Sequence, residues 1–338
     1  MVLIDSVYIH EGGGKNILEN LCTKIYDNGL EKNFFFLFDS RYTSKLKIRN
    51  SHKINSSEIN RLKFYKKNKF KFQRFICMSN VPPPVHLNKP VDIYFHNDLL
   101  LNPFRNNLTL LDKLKLFVKK HYIKYINSKK YSWNVQTALM KKRLINSYSI
   151  NEKNINIYPI FTNYKSQKLD KDPRKFLYVS NFSKHKNHLL LFKAFKIVAN
   201  KINYKIHLDL TLPNEVFYNS FYNKESYSKN LEINNYGILN KSELSKLYSK
   251  SNFLIFPSLN ESFGLPLIEA TFNDCYIISS NKDYVFEIIK PTLTFNPLCA
   301  ESIASAIFEA LNSSSLIKSE VIIENKIDTF VKYLLSHV

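Results

Sequence analysis

The chain has 338 residues, 44% of them hydrophobic; this is too long for one ordinary core and too apolar for global disorder, and it suits two domains of about 150 residues each. Its formal net charge is +21, and the excess lies in the first half: residues 1–170 hold 30 Lys/Arg against 12 Asp/Glu, the remainder 19 against 16. Such a field attracts polyanions, whether nucleic acid or an anionic membrane, and says little about fold.

In chain order, residues 2–9 read as a first strand, followed by Gly12-Gly13-Gly14 and then a helix over Lys15–Tyr26, with Ile17, Leu18, Leu21 and Ile25 at helical spacing. No basic n-region or apolar h-region precedes that strand, so no leader is expected. Apolar runs at 33–38, 74–78 and 91–95 read as further strands, with Pro82-Pro83-Pro84 marking a loop between the last two. Leu110 to Ile126 is a basic amphipathic helix: Leu110, Leu111, Leu114, Phe117, Val118 and Tyr122 are assigned to one side, and Lys113, Lys115, Lys119, Lys120 and Lys124 to much of the rest. A strand over 132–137 and a helix over 138–146 follow. Residues 162–175 are polar and aperiodic and are expected to link two domains. A second α/β series then runs through strands at 176–180, 205–210, 231–236, 253–256 and 276–279, with helices at 188–200, 241–249 and from 265. Residues 302–311 and 320–335 are expected to be helical. Strands alternating with helices predict parallel sheets. No run of about 18 uninterrupted apolar residues is present, so a membrane-spanning helix is not expected.

Cys22, Cys77, Cys275 and Cys299 are widely spaced and form no CxxC pair. That argues against a disulfide framework or a zinc site and for a reducing cytoplasm.

The richest segment is Phe256-Pro-Ser-Leu-Asn-Glu-Ser-Phe-Gly-Leu-Pro-Leu-Ile-Glu-Ala270. A buried strand ends at Phe256, and Gly264 and Pro266 sit where a helix should begin. A helix start at a parallel sheet's C-terminal edge offers free N–H groups to a diphosphate. Glu261 and Glu269 are carboxylate acceptors suited to sugar and ribose hydroxyls. The glycine triplet between strand and helix lets a phosphate or sugar approach the backbone, a plain turn being the alternative. His96, in Phe95-His-Asn-Asp98, ends an apolar strand, either as a site residue or as a structural histidine.

This segment resembles the Glu–seven residues–Glu motif of retaining glycosyltransferases of the GT-B fold, family 4 type. The likeness extends to Leu247–Ser258 and to Phe176-Leu-Tyr-Val-Ser-Asn-Phe-Ser-Lys-His-Lys-Asn187. It implies two Rossmann-like domains facing each other across a cleft: an acceptor and membrane domain at 1–165, a nucleotide-sugar domain at 166–319, and a final helix, 320–338, returning to the first domain. It also implies roles. Glu261 contacts the donor sugar, Glu269 holds the ribose, and Lys186 binds the diphosphate. The backbone of Ser262, Phe263, Gly264 and Leu265 lies near the diphosphate and sugar, and Gly237 and Ile238 lie beside the nucleobase. Gly13 and Gly14 face the donor, with His96 near its sugar. Asn181 stands where many members carry arginine.

The expected activity is therefore transfer of a sugar from a nucleotide-sugar to a glycan or lipid-linked acceptor, with retention, without metal or cofactor, peripherally on the inner face of the cytoplasmic membrane. Lipopolysaccharide O-antigen or capsule synthesis is the expected setting, by family analogy. A basic nucleic-acid-binding protein, or another GT-B activity such as a nucleotide-sugar epimerase, is the alternative, although no nucleic-acid recognition motif is present.

Overall fold

The computed structural model describes residues 1–44, 46–103, 109–162, 169–219 and 228–336. The chain divides into two compact units, Met1–Thr162 with Glu324–Val338, and Asn163–Ile323.

The first unit carries strands β1 (Val2–Ser6), β2 (Phe34–Asp39), β3 (Ser51–Ile54), β4 (Arg74–Cys77), β5 (Val91–Tyr94), β6 (Ser132–Val135) and β7 (Ile155–Ile157). They form a parallel sheet in the order β3-β2-β1-β4-β5-β6-β7. Every residue of β1, β4 and β5 is buried, which explains their near-continuous apolar sequence: a parallel sheet is covered on both faces. The helices are α1 (Gly12–Asp27), α2 (Glu58–Asn68), α3 (Leu110–Ile126) and α4 (Ala138–Tyr148). One core gathers Tyr65 of α2, Ile123 of α3 and Leu144 of α4. The other gathers α1 with Phe330, Val331 and Leu334 near the chain's end.

The second unit contains β8 (Asp172–Tyr178), β9 (Ile206–Leu210), β10 (Leu231–Asn235), β11 (Ser251–Phe256), β12 (Tyr276–Ser280), β13 (Ile289–Lys290), β14 (Leu293–Phe295) and β15 (Glu320–Val321). Six of these form a parallel sheet, β10-β9-β8-β11-β12-β14, while β13 and β15 pair antiparallel. Its helices are α5 (His188–Ala199), α6 (Asn214–Phe217), α7 (Lys241–Lys250), α8 (Leu265–Phe272), α9 (Asp283–Phe286) and α10 (Ala300–Asn312). The last helix, α11 (Ile327–Leu335), is part of the first unit. There Lys24 of α1 pairs with Asp328 at 2.7 Å, and Arg74 donates to the Tyr333 carbonyl.

Several sequence expectations need correction. The glycine triplet is not a loop before a helix: α1 starts at Gly12, whose φ of +66° costs glycine nothing. The polar link expected at 162–175 is shorter at its end, because Asp172–Lys175 already extend β8; its residues 163–168 lie outside the described residues. The terminal helix starts at Ile327, since Glu320 and Val321 pair with β13. Strand β3 and helix α2 were not foreseen: β3 has no buried residue, and α2 buries only Arg61 and Tyr65. The α2 start is fixed instead by Ser57, whose side chain accepts from Asn60 N–H.

Candidate active site

Each unit carries candidate site residues, and each set is described within its own unit. In the second unit, β8 leads into the turn Lys184–Lys186, and β11 leads into the loop before α8. Several bonds hold the two loops together. Leu259 N–H donates to the His185 carbonyl at 2.8 Å, and the Tyr178 hydroxyl donates to the Lys186 carbonyl at 2.7 Å. Asn187, in the left-handed region at φ 61°, donates to the Pro257 and Pro297 carbonyls. This framework brings Lys186 Nζ to 2.6 Å from Glu261 Oε1. Two residues 75 positions apart thus form one charged pair, strengthened because both are largely withdrawn from water.

Gly264 caps α8 at φ +93°, with Pro266 in the first turn. A Cβ there would lie 3.2 Å from Leu267 Cδ1, so glycine answers both a backbone and a packing demand. Phe263 is buried beside it, while Ser262 and Leu265 keep partial exposure. The helix start so formed presents N–H groups to an anion. One turn on, Glu269 Oε2 accepts from the Tyr248 hydroxyl of α7 at 2.9 Å. The carboxyl retains some accessible surface, yet burial raises its pKa. Lys241, Leu244, Ser245, Tyr248, Glu269 and Asn273 line a small cavity there. Gly237 follows β10 at φ +70°, against the Asn214 amide, and Ile238 is exposed. Asn181 is exposed after β8.

In the first unit, the C-terminal ends of β4 and β5 and the first turn of α1 meet. His96 Nε2 lies 3.0 Å from the Met78 carbonyl. A carbonyl only accepts, so Nε2 carries the proton and Nδ1 is left as an acceptor. A Cβ on Gly14 would lie 2.8 Å from His96 Cε1 and 3.3 Å from Nε2, so the histidine ring itself demands glycine at position 14. At Gly13 a Cβ would meet nothing within 4 Å. His96 is partly exposed as a residue, but burial of the ring and, to a smaller extent, the nearby Lys119 charge bring its pKa down to about 4.

The sequence reading missed Tyr248 as the partner of Glu269, and Asn80 as the partner of His96. Tyr248 looks like one more apolar helix position. Asn80 sits in an irregular stretch before the prolines, where no periodicity marks it.

The basic helix α3 also differs from its expected side assignment. Tyr122 belongs to the inward side, with Leu116 and Ile126 packed on the core and its hydroxyl donating to Glu58. The outward side also carries apolar residues: Leu110 is 82% exposed, Leu111 69%, Leu114 58%, Val118 59% and Tyr125 87%. Lys119 and Lys120 turn inward, Lys119 over the Tyr8 ring and Lys120 to the Leu101 carbonyl, while Lys115 and Lys124 stay exposed.

The family model described as glycosyl transferases group 1 matches residues 160–329. No curated protein matches the sequence. Among solved structures, the chain is similar to a glycosyltransferase from Rickettsia africae ESF-5, with 16% identity, a TM-score of 0.66, and coverage of 99% of this chain and 93% of that one. It is similar to WaaG, a glycosyltransferase involved in lipopolysaccharide biosynthesis, with 13% identity, a TM-score of 0.69, and coverage of 93% and 91%. It also resembles Anabaena Alr3699/HepE, solved in complex with UDP and glucose, with 10% identity, a TM-score of 0.67, and coverage of 93% and 90%. At such identities the likeness establishes the fold, an α/β chain with two parallel sheets of the GT-B class.

Proposed function

We propose, from the premise that this chain belongs to the glycosyl transferases group 1 family, that it transfers a hexose, with retention of configuration, from a nucleotide-sugar to a lipid-linked glycan acceptor in the synthesis of a bacterial surface polysaccharide such as O-antigen or capsule. The carrying observation is the Lys186–Glu261 pair beside the glycine-capped start of α8. A cation and a row of backbone N–H groups suit a diphosphate, and a carboxylate next to them suits sugar hydroxyls.

Each group then has a definite task. Lys186 and the α8 start take up the charge that develops on the departing diphosphate. Binding the donor requires Lys186 to exchange Glu261 for phosphate, which frees the carboxylate to accept from the sugar. Glu269, held by Tyr248, accepts from the ribose hydroxyls, and the Gly237–Ile238 turn lies beside the base. In the first unit, neutral His96 offers Nδ1 to a hydroxyl, and the bare surface at Gly13 admits close approach of a ligand. The structure of the UDP complex of Alr3699/HepE supports a nucleoside-diphosphate donor.

The outward apolar face of α3, bordered by Lys115 and Lys124, fits a membrane interface bearing anionic lipid. No helix among the described residues is long and apolar enough to cross a membrane. Attachment of this kind would bring the enzyme to a lipid-linked acceptor. The lipopolysaccharide role of WaaG agrees with this reading.

The test is thermal stabilisation by UDP-, GDP- and dTDP-sugars. The expected result is a rise in Tm with one nucleotide class, reduced in Glu269→Ala. No stabilisation by any nucleotide would overturn the reading.

A further inference from the structure

We propose that Asn80 is a positioning residue for sugar transfer: its amide clamps the backbone that carries His96 and holds the imidazole neutral, so that Nδ1 is presented as an acceptor. The proposal rests on the reading of His96 as a group that serves the transfer.

Asn80 lies just beyond β4, buried, in the left-handed region at φ 68°. Asparagine tolerates that conformation better than other side chains, although at a cost that an ordinary turn would avoid. What the conformation achieves is visible in its bonds. Asn80 Oδ1 accepts two consecutive backbone N–H groups, from His96 at 2.7 Å and from Asn97 at 3.0 Å. One oxygen therefore fixes the chain where it leaves β5. The other end of the amide, Nδ2, lies 3.4 Å from His96 Nε2. Since Nε2–H is given to the Met78 carbonyl, that contact joins two donors and is not a hydrogen bond. Its effect is electrostatic: the positive end of the amide dipole faces the ring and disfavours a second proton on it.

The remaining surroundings act in the same direction. From α3, the Lys119 ammonium opposes protonation, and from α1 the bare Gly14 closes over the ring. On the strand side, the neutral Tyr94 ring lies 6.5 Å away, and the Met78 carbonyl, with a smaller contribution from the backbone of His96 itself, favours the proton that Nε2 already holds. A neutral imidazole with Nε2 committed can only accept at Nδ1.

The experiment compares Asn80→Gly, Asn80→Asp and His96→Ala by steady-state kinetics across pH. Glycine preserves the left-handed backbone and removes the amide, so kcat should fall by about 10- to 100-fold with little change in KM for the donor. Aspartate keeps an oxygen for both N–H groups and should restore most of kcat at neutral pH. It also places a carboxylate oxygen near Nε2–H, so the acidic limb of the kcat profile should move up by about 1–3 pH units. A merely structural Asn80 would leave that limb unmoved. Unchanged kcat in Asn80→Gly, or an unmoved limb in Asn80→Asp, would overturn the proposal while His96→Ala remains defective. Full activity of His96→Ala would instead overturn the reading of His96 on which it rests.

Discussion

Replacing Gly14 by alanine isolates what the histidine ring requires of the helix beneath it. The φ of Gly14 lies outside the left-handed region, so the new residue has no backbone penalty of that kind. Its Cβ, however, would stand 2.8 Å from His96 Cε1, where ordinary contact starts at 3.4 Å; the ring must retreat by about 0.6 Å. The ring is not free to do so, because Nε2–H is bound to Met78 and the backbone to Asn80. A strained rotamer costs about 0.5–1.5 kcal/mol and a weakened hydrogen bond a similar amount, while alanine gains up to about 1 kcal/mol over glycine in a helix. The net loss of stability is then between about 0 and 3 kcal/mol, and about 1.5 at mid-range. The effect on turnover is larger, since sub-ångström misplacement of a site group costs up to about 100-fold. Thermal unfolding and steady-state kinetics on Gly14→Ala and Gly13→Ala decide the matter. Gly13→Ala should keep or slightly raise Tm, having no neighbour to strike. A Gly14→Ala enzyme with wild-type Tm, and kcat within about twofold of wild type, would show that the ring is not seated on α1 and refute the argument.

Four further outcomes are expected. Tyr248→Phe should weaken nucleotide affinity by about 3- to 10-fold, the value of one hydrogen bond to a carboxylate, without loss of the core; isothermal titration measures it. Because burial raises the Glu269 pKa, nucleotide affinity should fall as pH decreases through that raised pKa, sooner than for an ordinary carboxylate, and Glu269→Gln should flatten that dependence. His96 and His188 are held neutral, with pKa values near 4 and 3, below the unfolded value of about 6.5. The unfolded chain therefore binds more protons, so stability should decline from pH 6.5 towards pH 4, which urea midpoints across that range would show. Finally, Leu111→Glu with Val118→Glu should abolish co-sedimentation with anionic vesicles while leaving Tm nearly unchanged, since both side chains are already more than half exposed.

Much of the second unit was legible in the sequence. Its strands β9, β11 and β12 are largely buried and so read as apolar runs, and Gly264 and Pro266 mark a helix start by rules local to a few residues. The alternation of strands and helices, the Glu261–Glu269 spacing and the long amphipathic pattern of α3 are local in the same sense. Tertiary structure decided what depends on distant partners. That Lys186 meets Glu261 follows from parallel pairing of β8 with β11, which places their two following loops at one sheet edge. That Gly14 must lack a side chain follows from where β5 delivers His96, 82 residues later in the chain. Which side of α3 faces outward could not be read from its pattern either. Apolar residues occur on both sides, and only the seating of Leu116, Tyr122 and Ile123 against the sheet leaves the rest to solvent. Local periodicity specifies an element, while the neighbour that each of its faces meets is set by the topology of the whole unit.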